Sequence, residues 1–233
     1  MLIAIIIFLA IFTQAAAGFG LALVSMPLLV GLLGVRTATP LVALVGATAE
    51  LIMLARYRHT FNLRAVGRLS LASLAGIPLG LVLLRRVDAD IVTGFLGVVI
   101  VAYALYALFN PRLPQLVHRG WAYSFGFAGG VLSGAYNTSG PPVVMYGTCR
   151  CWQPAEFKSN LQGYFLLNSV MTIFAHGIGG SFTAPVWQSY LLTLPAIALG
   201  LAAGFSLDGR LDPQRFRRVV LVLLVFLGVR LLL

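Results

Sequence analysis

The sequence predicts an all-α polytopic membrane protein with two inverted repeats, each a broken or re-entrant helical hairpin plus three transmembrane helices. Three observations support this fold class. First, 60% of the 233 residues are hydrophobic and only 9% are charged, whereas a soluble domain carries about 25% charged residues. Second, two clusters of helix-breaking residues lie at corresponding places in the two halves of the chain. Third, the distribution of basic residues favours one membrane topology over its alternative.

Most of the chain divides into apolar segments that approach the length of a membrane span, about 20 residues. Two of these segments, 2–34 and 121–148, are too long for one span and too short for two. Each contains one of the breaker clusters, so we interpret each as two half-helices around a break. The first begins without a basic region and is interpreted as retained, not as a signal peptide. The six ordinary predicted spans are 39–55, 69–84, 91–109, 161–176, 190–205 and 219–233.

The basic residues indicate whether each broken segment crosses the membrane or returns to its own side. If each crosses once, the sixteen basic residues divide seven against nine. If each is a hairpin, they divide twelve against four, as the positive-inside rule requires. The hairpin topology places both termini in the periplasm and leaves three full crossings in each half, so the halves 1–110 and 111–233 are inverted. Its cytoplasmic loops are 56–68, 110–120, 149–158 and 206–218.

The two breaks form the predicted binding site. Backbone polar groups inside a bilayer need protein or water around them, so each break must lie within the bundle or line a cavity. The N–H groups that open a half-helix attract an anion without a charged side chain. Kinks that serve only packing would explain a glycine or a proline, but explain clustered polar side chains less readily. The candidate residues are Gly18, Phe19, Gly20 and Ser25 at the first break and Asn137, Thr138, Ser139, Gly140 and Pro141 at the second.

Glu50 is the acidic residue that lies well inside a predicted span. A carboxyl group there must be paired or protonated, and two interpretations stay open. Either Glu50 carries a coupling proton, or it lies near the cytoplasmic edge, bonded to Arg56 or Thr48. Asn168 holds roughly the equivalent place in the second half and is a candidate substrate-binding residue. His176 ends its span and is expected at a membrane interface.

Glycine pairs give a second match between the halves. Gly76 and Gly80 in the first half, and Gly200 and Gly204 in the second, are each separated by three residues. Such a pair lies on one face of a helix and permits close approach of a second helix. We interpret these glycines as packing residues and not as ligands.

Several partner classes do not fit the sequence. The net charge of +10 would indicate nucleic acid in a soluble protein, but these basic residues lie between apolar spans, and the lipid bilayer is the expected partner. Cys149 and Cys151 lack the further ligands of a zinc site. One central glutamate without clustered histidines also offers too few ligands for a metal carrier. We therefore predict neither a cofactor nor a metal.

An enzyme is the strongest alternative from another functional class. Ser139-Gly140 within an apolar segment, with His176 one helix later, superficially resembles the Ser/His pair of an intramembrane serine protease. The rhomboid-type motif requires glycine two residues before the serine, where this chain has Asn137. The prolines that follow also do not fit, so we predict that the protein is not an enzyme. An anion channel stays open as an alternative, because helix-dipole sites serve channels too, and so does a carrier of another small organic anion.

The two breaker motifs carry a family resemblance. An opening Gly18-Phe19-Gly20 with Pro27, a second motif from Gly134 to Gly140-Pro141-Pro142, and about eight spans resemble the sulfite exporter TauE/SafE family of membrane transporters. The resemblance implies a carrier of sulfur-containing anions, such as sulfite and organosulfonates, in the bacterial inner membrane. The family's second motif is usually richer in glycine. Here Tyr136 and Asn137 replace part of it, and we expect them to narrow substrate selection.

Overall fold

The computed structural model describes residues 1–109, 114–207 and 213–232, without the side chains of residues 213, 214 and 217. The boundary between 110 and 111 and parts of the predicted loops 110–120 and 206–218 lie outside the described residues. The described residues form α-helices and one short 3₁₀ turn, Arg58–Thr60. The helices are α1 (Leu2–Ala17), α2 (Leu21–Leu33), α3 (Val35–Tyr57), α4 (Leu63–Arg86), α5 (Ala89–Phe109), α6 (Trp121–Tyr136), α7 (Gly140–Cys149), α8 (Pro154–Ile178), α9 (Ala184–Ser206) and α10 (Pro213–Arg230).

The predicted spans coincide with helices of this fold. Among the described residues, α3 with its following turn, α4, α5 and α9 are long and apolar enough to cross a membrane. The predicted span 219–233 begins within α10 and extends past its end, since α10 begins at Pro213 and ends at Arg230. Beyond it, Leu231 and Leu232 form tighter turns, with N–H groups that donate three residues back. The protein is an all-α polytopic membrane protein.

The first predicted break separates α1 from α2. Gly18 has φ of 82° and closes α1 through its N–H, which donates to the Gln14 carbonyl oxygen. Gly20 has φ of 123° and precedes the first residue of α2, Leu21. L side chains rarely adopt these backbone angles, so the reversal between the two half-helices depends on glycine.

The second predicted break separates α6 from α7. It also contains a residue with positive φ, but this residue is an asparagine and not a glycine. Asn137 has φ of 50°, in the left-handed region that asparagine tolerates better than most residues. Its N–H donates to the Ser133 carbonyl oxygen, and the N–H of Thr138 donates to that of Leu132. The bond from Asn137 to the carbonyl group four residues earlier is that of an αL helix cap.

Helices of each half pack against helices of the other half in a reciprocal pattern. α1 packs against α2, and α6 packs against α7, as the arms of hairpins do. α1 also packs against α9, and α6 packs in the same way against α4. α3 contacts α8, and α5 contacts α10, so equivalent helices also meet each other. Reciprocal packing of this kind is expected of two equivalent halves, and their inversion relative to the membrane stays a prediction.

The glycine pairs bring α4 against α6 and α9 against α1, which confirms their predicted packing role. A Cβ at Gly80 would overlap the carbonyl group of Val131 on α6, and one at Gly76 would overlap that of Phe127. Cβ atoms at Gly200 and Gly204 would likewise meet atoms of α1, at Ile11 and Ala15. Each broken segment is therefore held by a helix of the other half.

His176 lies near the end of α8, and its side chain is only 1% exposed. The loop after α8 folds back over the end of the helix. The N–H of Ser181 donates to the His176 carbonyl oxygen. The Arg85 guanidinium, at the end of α4, donates to the Gly179 carbonyl oxygen and to the Ser181 hydroxyl.

Candidate functional site

A cavity of about 30 Å³ lies between the two helix breaks. A buried water needs roughly 10–15 Å³, so the cavity has room for a group of a few atoms. Both breaks contribute to its wall, together with α1, α3 and α8. The lining residues are Gln14, Gly20, Leu21, Ala22, Leu23, Glu50, Asn137, Thr138, Ser139, Gly140, Phe165 and Ser169.

The N-terminal turns of two half-helices meet at this cavity. α2 presents its first residues after Gly20, and α7 presents Ser139 and Gly140. The first N–H groups of a helix have no partner within it, and the helix dipole adds positive potential there. Pro141 and Pro142 fit the first turn of α7, where a missing N–H breaks no helical bond. Two electropositive helix ends, one from each half, therefore face the same small volume.

Glu50 places a carboxyl group in the wall of the cavity. Its side chain is 4% exposed, and its Oε2 has no hydrogen-bond partner among the described residues. Ser169 and Gln14 lie beside it in the wall of the cavity. The two partners expected at the membrane edge are occupied elsewhere, since Thr48 bonds to Tyr190 and Arg56 lies over an aromatic ring. Glu50 therefore lines the cavity between the breaks.

Gly46 leaves space in which polar groups from α3, α8 and the second break converge. A Cβ on Gly46 would lie 3.2 Å from Glu50 Oε1, 3.2 Å from Ser169 Oγ and 3.4 Å from Asn137 Nδ2. These three atoms belong to α3, to α8 and to the second break. A larger residue at position 46 would push them apart, because contacts this short leave a Cβ little room.

Two buried glutamines tie the first break to α8. The Leu21 N–H donates to Gln14 Oε1 over 3.0 Å, and Gln14 Nε2 donates to Gln162 Oε1 over 3.3 Å. Gln162 Nε2 in turn donates to the Gly18 carbonyl oxygen over 2.7 Å. This chain of bonds satisfies backbone groups that the helix break leaves without partners.

Three predicted residues of the first break contact other protein groups and do not line the cavity. The Gly18 carbonyl oxygen accepts the bond from Gln162. The Phe19 ring packs edge-on against that of Tyr103, with centroids 6.2 Å apart. Ser25 is fully buried, and its hydroxyl donates to the Leu21 carbonyl oxygen over 2.7 Å.

Two predicted residues of the second half also lie outside the cavity wall. Pro141 lines a separate apolar groove with residues of α5 and α6. Asn168 Nδ2 donates to the Tyr164 carbonyl oxygen over 2.9 Å. The next residue, Ser169, faces the cavity beside Glu50. Consecutive residues of an α-helix point about 100° apart around its axis. Asn168 therefore faces away from the cavity that Ser169 lines.

Sequence reasoning did not assign Gln14, Phe165 and Ser169 to the site. One signal could have found Ser169: it follows Asn137 by 32 residues, the same spacing that separates Glu50 from Gly18. Among the residues that the structure describes, no group of three or more His, Cys, Asp or Glu side chains is placed to hold a metal ion.

Broken helices whose electropositive ends meet at a buried cavity are typical of secondary transporters, and the fold and site place the protein in the class of polytopic membrane transporters. The chain belongs to the sulfite exporter TauE/SafE family, whose model matches residues 3–231.

Two curated relatives are similar over most of their length. A probable sulfite/organosulfonate exporter TauE of Cupriavidus necator is 26% identical over 226 residues, which cover 94% of this chain and 88% of the relative. A probable inner membrane transporter protein TsaS of Comamonas testosteroni is 25% identical over 170 residues, 72% of this chain and 71% of the relative. No solved structure matches the chain.

Proposed function

We propose that this protein is a secondary transporter that moves a small sulfur-containing anion, sulfite or an organosulfonate, across the bacterial inner membrane. The observation that carries the proposal is the meeting of two half-helix N-termini at one buried cavity. Such a site favours an anion through N–H groups and helix dipoles. The names of the two relatives, an exporter of sulfite or organosulfonate and an inner membrane transporter, support the substrate class and the location.

The anion binds between the two breaks. Its oxygens accept hydrogen bonds from the first N–H groups of α2 and from the Gly140 N–H of α7, and the side chains of Asn137, Thr138 and Ser139 add donors on one side. Phe165 forms an apolar part of the wall, against which the carbon of an organosulfonate can pack. A cavity of about 30 Å³ suits a compact anion, and a bulkier sulfonate requires the helix ends to separate.

Glu50 carries the coupling proton in this proposal. An ionised carboxylate beside a bound anion would repel it strongly in a site of low dielectric. Protonation of Glu50 removes that repulsion, so the proton and the anion bind together. Oε2, which has no hydrogen-bond partner among the described residues, is an available position for the proton.

The two halves move relative to each other around this site, with both termini in the periplasm and the repeats inverted. Cys151 offers a direct test, because it is an exposed free thiol in the loop 149–158 that this topology places in the cytoplasm. A membrane-impermeant maleimide should label Cys151 in permeabilised cells but not in intact spheroplasts, and Cys151→Ser should abolish the labelling. Labelling of intact spheroplasts would show that this loop faces the periplasm, so that the topology is the opposite of the proposed one.

The substrate class is tested by a thermal-shift screen of the purified protein. Sulfite, thiosulfate, sulfoacetate and taurine are compared with carboxylates of similar size. A shift with sulfur oxyanions and none with the carboxylates is expected, and the absence of a response to every sulfur anion would overturn the proposed substrate class.

Transport itself distinguishes the proposed carrier from an anion channel. Counterflow in proteoliposomes, in which unlabelled anion inside drives uptake of labelled anion, is expected of a carrier. Uptake that does not depend on the unlabelled anion inside and is driven by the membrane potential alone would favour the channel.

A further inference from the structure

Gln14 accepts the hydrogen bond of a backbone group that the proposed site needs. Leu21 is the first residue of α2, and its N–H belongs to the electropositive end that faces the cavity. This N–H donates to Gln14 Oε1 over 3.0 Å. A donor at a helix N-terminus is among the strongest anion ligands that a backbone provides. In this conformation a neutral amide oxygen therefore occupies the position where a substrate oxygen would bind.

The orientation of the Gln14 amide follows from its partners. A backbone N–H can only donate, so the atom that faces Leu21 must be the amide oxygen. The nitrogen then points towards Gln162, whose Oε1 lies 3.3 Å away, and Glu50 lines the same cavity as Gln14. Gln14 is 2% exposed, so water does not compete for these bonds. One side chain thus connects the helix end and α8.

We propose that Gln14 is a placeholder ligand, whose amide oxygen holds the Leu21 N–H until a substrate anion displaces it. This inference rests on the proposed function. An anionic oxygen forms a stronger hydrogen bond with an N–H than a neutral amide oxygen does, so the exchange favours the anion. Glu50 supplies an independent indication of a ligand, since its side chain is 4% exposed and its Oε2 has no partner among the described residues.

Displacement of Gln14 has a consequence for α8. When the amide leaves Leu21, its contact with Gln162 is lost or rearranged, and Gln162 is the residue that holds the Gly18 carbonyl oxygen. Gln14 and Gln162 belong to different halves of the chain. Binding of the anion at α2 is therefore transmitted to the contact between the halves, where a transporter must change its packing.

Anion affinity of Gln14 variants tests the placeholder role. Gln14→Ala removes the competing acceptor and should lower the Kd for the anion by about three- to tenfold, the range of one net hydrogen bond. Gln14→Glu tethers a carboxylate at the same N–H and should raise the Kd at least tenfold at pH 8. If Gln14 only stabilised the fold, both substitutions would raise the Kd. A lower Kd for Gln14→Ala together with a higher Kd for Gln14→Glu is therefore the diagnostic result.

Thr13→Val is the matched control on the preceding position of α1. The Thr13 hydroxyl donates only to the Leu9 carbonyl oxygen of its own helix, so this variant should bind the anion as the wild type does. Binding is measured by isothermal titration of purified protein with sulfite, and melting curves show that each variant is folded. If the wild type binds sulfur anions but Gln14→Ala binds them no more tightly than the wild type, this inference alone is overturned. If the wild type binds none of them, the proposed function fails and the placeholder role fails with it.

Discussion

Glu50 of α3 and Ser169 of α8 face each other beside Gly46, at matching positions in the two halves. Glu50 follows Gly18 by 32 residues, and Ser169 follows Asn137 by 32 residues. Gly18 and Asn137 are in turn the left-handed residues of the two breaks. Each half therefore contributes the same position, Glu50 or Ser169, to the wall of one cavity, but with different chemistry. The first half supplies an acid and the second a hydroxyl, so one side of the site can exchange a proton.

Glu50→Gln should make transport independent of pH. The proposed coupling requires that the anion binds with protonated Glu50, so wild-type uptake in proteoliposomes should fall as the pH rises and Glu50 loses its proton. Glutamine stays neutral and keeps the size of the protonated side chain. Glu50→Asp retains an ionisable group and should retain a pH dependence. A Glu50→Gln protein whose initial rate still follows the wild-type pH profile would exclude Glu50 as the coupling group.

Gly46→Ala should impair the site with little effect on folding. Its Cβ would lie 3.2 Å from Glu50 Oε1 and from Ser169 Oγ, so the converging polar groups must separate. We expect transport to fall about tenfold, which corresponds to about 1.4 kcal/mol. Gly67→Ala is the control, because a Cβ there meets no atom within 4 Å. Equal transport by the two variants would show that convergence at Gly46 is unimportant.

Substitutions at Asn137 separate backbone strain from the function of the amide. Asn137→Gly adopts φ of 50° freely and should keep the melting temperature close to that of the wild type. It lacks Nδ2 and should bind the anion more weakly. Asn137→Ala loses the same amide and adds about 1–2 kcal/mol of strain, so it should melt at a lower temperature. Unchanged anion affinity of the folded glycine variant would remove Asn137 from the site.

Gly80→Ala should destabilise the fold itself. A Cβ at this position would overlap the Val131 carbonyl group of α6, and overpacking of this kind costs about 1–3 kcal/mol. The measurement is the melting temperature in detergent. Gly94→Ala on α5, where a Cβ meets no atom within 4 Å, should melt at or slightly above the wild-type temperature. A Gly80→Ala protein as stable as Gly94→Ala would contradict the close contact of α4 with α6.

The helix breaks could be predicted because they depend on local chemistry. Glycine at φ of 82° and 123° and the prolines of α7 leave a signal within a few residues. The glycine pairs likewise indicate close packing by their spacing alone. Gln14 and Gln162 are 148 residues apart, and no local pattern indicates which buried amides will meet. The burial of His176 depends in the same way on a loop that folds back after its helix.

Side-chain register limited the prediction of the site. Asn168, which the sequence analysis named, and Ser169, which lines the cavity, differ by one helical position, and uncertainty about where a helix begins exceeds this. The polar character of Asn168 favoured it at the sequence level, but its Nδ2 donates to the Tyr164 carbonyl oxygen of its own helix. A comparison of spacing between the two halves would have been the better guide.

The exchange of partners between the halves has a structural cost for either half alone. α1 relies on α9, and α6 relies on α4, so a separated half would expose the glycine face that its missing counterpart covers. The two halves are thus comparable to the subunits of an obligate heterodimer carried on one chain. Halves produced together as two separate fragments should assemble into a complex, whereas either fragment produced without the other should be degraded.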